Sequence, residues 1–136
     1  MEKLYGSEEG GRLLKPQGKN RETLIKTFNL SQNPYVLISP SLTEGIDLKD
    51  DLSRFCIICK VPYPSIADEW TKQRIKLDQN WYNVKTAETL IQMTGRSIRS
   101  EQDHADTYIL DSNFFDFASR NADLFPQWWK DSVVHL

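Results

Sequence analysis

Cysteine is scarce in this chain of 136 residues, which holds two, Cys56 and Cys59. They form a C-x-x-C inside RFCIICKVPYP. That pattern can mark a redox pair or half of a zinc site, and a buried strand explains it as well. Residues three apart in a strand point to opposite faces, so the two thiols would diverge. No second C-x-x-C follows, and His104 and His135 are too few and too scattered to complete a zinc site. Long apolar runs are missing too. None approaches the roughly 20 residues needed to span a bilayer, so no membrane partner is expected. Met1-Glu2-Lys3-Leu4 leads into a polar, glycine-bearing stretch in place of a signal-peptide apolar core. The expectation is an intracellular protein of the cytoplasm, nucleoid or nucleus. An excess of positive charge is also lacking, the net charge being −2. This argues against an independent high-affinity nucleic-acid binder, but a domain that touches a nucleic-acid backbone through a few hydroxyls and amides stays possible.

What is present is an ordinary globular balance, 39% hydrophobic and 26% charged. The length suits one domain with one sizeable core. Residues 1–11, MEKLYGSEEGG, are expected to be a flexible leader or loop, with the domain spanning 12–136. RLLKPQG is a short apolar segment closed by Pro16 and Gly18. NRETLIKTFNL predicts a helix: Asn20 would cap it, Glu22 suits its positive end, and Leu24, Ile25 and Phe28 share a face. YVLIS (35–39) and FCIICKV (55–61) are continuous apolar runs, expected to be strands buried on both faces. Helices are predicted over 66–78 and 81–99, a third buried strand over 104–111, and a further helix over 112–121. Strands alternating with helices predict an α/β fold with a mainly parallel sheet flanked by helices. No internal repeat interrupts this order.

Two stretches carry chemistry. On a helical wheel over 81–99 with Gln92 at zero, Arg96 lies at about +40° and Arg99 at about −20°. An amide and two guanidiniums thus form one stripe, opposite a broad arc of Ala87, Leu90, Ile91, Thr94 and Ile98. A solvated helix face explains such arginines equally well, yet planar, permanently charged guanidiniums also suit phosphate oxygens. Gly95, beside the stripe, costs about 1 kcal/mol in a helix interior and would allow close approach of a backbone or ligand. The second stretch, SPSLTEGIDLKDD (39–51), follows a predicted strand at its carboxyl end, where α/β sheets place ligands. Ser39, Ser41, Thr43, Glu44 and Asp47 crowd polar groups around Gly45. A capped turn accounts for them, as does a site whose hydroxyls hold a phosphate backbone and whose carboxylates accept from a ribose hydroxyl.

The ordered set T-E-G-I-D-L, an apolar strand ending in V-P-Y-P, Q-M-T-G-R-S-I-R-S-E-Q-D and Y-I-L-D resembles the second motor domain of XPD/DinG-type superfamily-two helicases. K-N-R-E-T-L-I-K-T-F and the terminal F-P-Q-W-W extend the resemblance over roughly residues 12–130. It implies a RecA-like domain of the P-loop NTPase type. Thr43-Glu44-Gly45-Ile46-Asp47 would be motif V, coupling nucleotide to strand, with Glu44, Gly45 and Asp47 toward ATP and Ser41 and Thr43 toward nucleic acid. Gln92, Gly95, Arg96 and Arg99 would be motif VI, Arg99 the arginine finger and Arg96 its phosphate-contacting companion. Asp103 would anchor the local structure. The implied activity is ATP-dependent unwinding of single-stranded or forked DNA, translocating 5′ to 3′.

The sequence departs from that pattern at Ala105, where the family often has glycine, and at Asn113, where it tends to place arginine. It contains no G-x-x-x-x-G-K-[ST] phosphate loop, no D-E-A-H-type box and no four-cysteine cluster. ATP and magnesium would therefore be bound mainly by a first RecA-like motor domain, the expected partner, and this chain alone would not hydrolyse ATP. A non-catalytic RecA-like module for protein or nucleic-acid interaction is the alternative. For the paired tryptophans Trp128 and Trp129, base stacking competes with packing in the core or between domains.

Overall fold

A computed structural model describes residues 10–39, 52–95 and 104–134. The chain divides into two compact units, Met1–Leu48 and Lys49–Leu136.

The first unit is a small parallel α/β element. A turn over Gly10–Arg12 leads into β1 (Leu13–Leu14), and α1 (Arg21–Leu30) connects it to β2 (Val36–Leu37). The two strands pair in parallel, Leu13 opposite Val36 and Leu14 opposite Leu37. Parallel strands cannot be joined by a tight hairpin, and here the helix makes the crossover. The Arg12 side chain reinforces the pairing by donating to the Pro34 carbonyl at 2.8 Å. β1 falls within the segment that the sequence marks only as apolar, because two residues are too few to show alternation. Gly18 has φ +48°, a left-handed backbone that glycine adopts without strain, and it starts the turn Gly18–Asn20 ahead of α1.

On α1, Leu24, Ile25 and Phe28 are the half-buried residues, as the periodicity predicts. The capping expectation for Asn20 fails. Asn20 already has helical backbone angles, and its side-chain oxygen accepts from the Gln17 N–H at 2.9 Å. It closes the preceding turn instead of serving the first turn of α1.

The second unit holds β3 (Phe55–Ile58), α2 (Glu69–Leu77), α3 (Trp81–Thr94), β4 (Asp106–Ile109), α4 (Asn113–Arg120) and α5 (Gln127–Asp131). β3 and β4 are parallel, with Phe55 opposite Asp106 and Ile58 opposite Ile109. Their carboxyl ends are tied together by Asp111. One of its carboxylate oxygens accepts from the Val61 N–H at 3.0 Å, and the other accepts from the backbone and side-chain N–H groups of Asn113 at 3.1 and 3.0 Å. These bonds favour the ionised form, the Val61 N–H most of all, and hold the Asp111 carboxyl below its ordinary value.

The core of this unit is Ile58, Val61, Ala87, Leu90, Phe114, Phe117, Phe125 and Trp129, with Cys56, Ile91, Met93 and Ile109 packed against it. α3, α4 and α5 thus cover one face of the β3–β4 pair. The expectation of strands buried on both faces is corrected here. Ile58 is 2% exposed, whereas Phe55 and Ile57 are 53% and 50% exposed. A strand covered by helices on one side alternates along its length. Tyr108 and Leu110 on the β4 side are exposed in the same way. β2 is likewise half-buried.

The alternation separates the two thiols as expected of a strand. Cys56 is half-buried and packed on the core, while Cys59 is exposed just beyond β3, and both are free. Burial first, and then the nearby Cys59, push the Cys56 thiol up, the reverse of what an activated cysteine needs.

α2 starts at Asp68, whose carboxylate accepts from the Thr71 N–H at 2.9 Å and its hydroxyl at 3.0 Å. Such a cap contributes about 1 kcal/mol. α3 covers the first part of the helix predicted over 81–99, of which residues 96–99 lie outside the described residues. It ends at Thr94 with Gly95 as its C-cap, so Gly95 is not an interior helix residue and carries no interior penalty.

Two outcomes follow for the isolated chain. Leu90, fully buried, should cost about 2–5 kcal/mol when truncated to alanine, read as a lower urea midpoint by circular dichroism. Asp111→Asn should lower the thermal midpoint at pH 7, since an amide cannot accept on both sides. Because the folded carboxyl titrates below the ordinary 3.8, its contribution is full above that value and lost as pH falls through the folded one. The gap between mutant and wild-type midpoints should therefore narrow at pH 3.

Candidate functional site

The surface singled out by the sequence lies at the carboxyl end of α3, and the helix is held there from both of its ends. At the start, the Asn80 N–H donates to the Asp78 side chain at 2.9 Å and the Trp81 N–H to the Asp78 carbonyl at 3.2 Å. Trp81 meets Trp70 of α2 edge to face, centroids 5.3 Å apart, and the Arg74 guanidinium lies 5.3 Å from the Trp70 ring. Along the middle, Thr86 is fully buried because its hydroxyl donates to the Tyr82 carbonyl at 2.8 Å. Thr86, Ala87 and Leu90 form the inward face. Gln92 is exposed on the opposite side. The predicted division of α3 into a buried and a presented face is thus realised as far as Thr94.

The last turn has its own fastening. The Thr94 hydroxyl donates to the Ile91 carbonyl at 3.0 Å, and the Gly95 N–H donates to the same carbonyl at 3.1 Å. From α5, the indole N–H of Trp129 donates to the Thr94 hydroxyl oxygen at 2.8 Å. Trp129 is 4% exposed. Its ring stacks on Phe125 with centroids 4.4 Å apart and meets Phe114 edge-on at 6.1 Å. Trp128 beside it is 63% exposed. The tryptophan pair therefore splits, one ring in the core and one in solvent.

A methyl group built on Gly95 would touch the Ile91 carbonyl at 3.4 Å, ordinary contact with its own helix. Of the other residues assigned to the site, Arg96, Arg99, Ser41, Thr43, Glu44, Gly45 and Asp47 lie outside the described residues, as does Asp103. From that set, Gln92 and Gly95 lie among the described residues, at the end of α3. The polar stretch begins where expected, since Ser39 follows the carboxyl end of β2. Among the described residues, no group of three or more His, Cys, Asp or Glu is arranged to hold a metal. No described helix is long and apolar enough to cross a membrane.

Three features escape the sequence reading. One is the Trp129–Thr94 bond across 35 residues of chain, which no local pattern announces. The second is the role of Asp111, whose signal is a carboxylate between a strand and a helix start. The third is Tyr63, stacked on Tyr82 at 5.8 Å and edge-on to Phe117 at 5.6 Å. Burial first, and then the charge of Asp111, push the Tyr63 hydroxyl up.

Comparison with known proteins gives this arrangement a context. The helicase C-terminal domain family matches residues 2–132. A regulator of telomere elongation helicase 1 homolog from Caenorhabditis elegans is 29% identical over 108 residues, covering 68% of this chain and 11% of that protein. The ATP-dependent DNA helicase CHL1 of Candida albicans is 25% identical over 128 residues, covering 81% of this chain and 15% of its own length. A regulator of telomere elongation helicase 1 homolog from Drosophila willistoni is 31% identical over 88 residues, 55% of this chain and 9% of that protein. The chain thus spans between 9% and 15% of the length of these relatives.

Gln92→Ala at this exposed position should change the unfolding free energy by less than about 0.5 kcal/mol, as measured by urea denaturation.

Proposed function

The chain belongs to the helicase C-terminal domain family, as a motor domain of XPD/DinG type, and on that premise we propose that it supplies half of an ATP-hydrolysing site. The other half is a first RecA-like motor domain, which binds ATP and magnesium. The surface that completes the site is the carboxyl end of α3. Gln92 contacts the nucleotide, Gly95 caps the helix, and Arg96 and Arg99 follow in sequence to meet the phosphates. Arg99 acts as the arginine finger and Arg96 as its companion. Guanidiniums suit this task because they stay charged and match phosphate oxygens with paired donors. Charge that builds on the transferring phosphoryl group is what such residues stabilise.

The segment after β2 completes the coupling. Glu44, Gly45 and Asp47 face the nucleotide, and the hydroxyls of Ser41 and Thr43 hold the backbone of single-stranded or forked DNA. Closure of the two motor domains around ATP is thereby relayed to the strand, and repeated closure moves the helicase along it and unwinds the duplex. By itself the chain does not turn over ATP. The observation that carries this reading is the continuous family match over 2–132, together with an α3 that buries one face and presents Gln92 on the other. That one relative is an ATP-dependent DNA helicase supports the choice of ATP and DNA.

The test joins this chain to a first motor domain and measures DNA-stimulated ATP hydrolysis. Arg99→Ala should reduce kcat by about a thousandfold or more, and Gln92→Ala should weaken nucleotide binding while leaving the fold intact. An Arg99→Ala enzyme that hydrolyses ATP at the parental rate sinks the finger assignment. It would leave a role in protein or nucleic-acid interaction as the better account.

A further inference from the structure

The indole of Trp129 reaches the last residue of α3. Thr94 is the last residue of α3, two residues after Gln92 and two before Arg96. A helix end leaves several carbonyl groups without partners inside the helix and tends to fray. Here the end is bonded from outside. The Trp129 N–H donates to the Thr94 oxygen at 2.8 Å, and the Thr94 hydroxyl donates onward to the Ile91 carbonyl at 3.0 Å. One hydroxyl is thus acceptor and donor at once, and its rotation is fixed by the pair of bonds. The donor is itself immobilised. Trp129 is 4% exposed and clamped by Phe125 at 4.4 Å and Phe114 at 6.1 Å.

We propose that Trp129 is a positioning residue for the nucleotide-facing motif: through Thr94 it fixes the last turn of α3, which carries Gln92 and immediately precedes Arg96 and Arg99 in the sequence. The proposal rests on the assignment of Arg96 and Arg99 to ATP hydrolysis made above. Its physical basis is that groups acting on a transition state must be held to within a fraction of an ångström, and supporting hydrogen bonds do that holding. The packing of Trp129 explains a large aromatic at this position, and a Phe ring there would keep part of that packing at the cost of a small cavity. Only the bond to Thr94 requires an indole N–H, and it ends on the final residue of the helix.

Three variants separate the bond from the packing. Trp129→Phe keeps an aromatic ring and removes the donor. Thr94→Val keeps the shape and removes the hydroxyl, while Thr94→Ser restores it. Each is measured in this chain joined to its first motor domain, with single-stranded DNA present. Trp129→Phe and Thr94→Val should each lower kcat for ATP hydrolysis by about tenfold while KM for ATP changes by less than about twofold. Thr94→Ser should recover the parental kcat, and the double variant Trp129→Phe/Thr94→Val should fall no further than either single one, as expected for two ends of one bond. The proposal is overturned if both single variants keep the parental kcat, even with a lowered melting temperature, because that is the signature of packing alone. It is overturned equally if the double variant loses the product of the two single losses. Arg99→Ala, run alongside, separates the two readings. A parental rate in that variant removes the finger assignment, whereas a collapsed Arg99→Ala rate beside parental Trp129→Phe and Thr94→Val rates removes the positioning role alone.

Discussion

Two strands that run in the same direction must be linked by a long crossover, and the pairing of β3 with β4 imposes that constraint on everything in the second unit. The chain has to leave the carboxyl end of β3, travel back along the sheet and re-enter at the amino end of β4. α2 and α3 lie on that path, which returns the chain to the starts of the strands. The Arg54 side chain marks this end by donating to the His104 carbonyl at 2.9 Å, and Asp111 marks the other by tying Val61 to Asn113. α3 is a helix on that path whose inner face, Thr86, Ala87 and Leu90, is committed to the core.

The aromatic residues then decide how firmly that exit is held. Phe114, Phe117, Phe125 and Trp129 join the buried faces of α3 and β3 into one cluster. A short final helix of five residues would be marginal by itself, yet its tryptophan is among the least exposed large side chains of the unit. Burial therefore comes first, and the indole hydrogen bond is a consequence of where burial puts the ring. Polar and apolar demands agree at Trp129, and this consistency across levels is what specifies a single arrangement.

Much of the architecture was legible from pattern. Leu24, Ile25 and Phe28 of α1 are where the period places them, β3 and β4 coincide with apolar runs, and α4 starts within a residue of its expected place. The boundary of α3 was not legible, because its apolar period continues past Thr94 to Ile98 while the helix stops at Gly95. Burial of both strand faces was misjudged because a continuous apolar run reads the same whether one face or two are covered. Phe55 and Ile57 supply the apolar character without the burial. In the candidate site, Gln92 was legible as a presented side chain. The Thr94–Trp129 bond was not, since it depends on α5 folding back over 35 residues. Long-range contacts of this kind leave no periodic trace.

The divergence of Cys56 and Cys59 has a chemical consequence beyond packing. Residues three apart along extended backbone are about 10 Å apart at their Cα atoms, whereas a disulfide needs less than about 7 Å. The C-x-x-C therefore cannot close on itself while β3 stays paired. Cys59 is exposed and Cys56 packs on the core. Any disulfide made by Cys59 in the folded chain would therefore need a thiol other than Cys56.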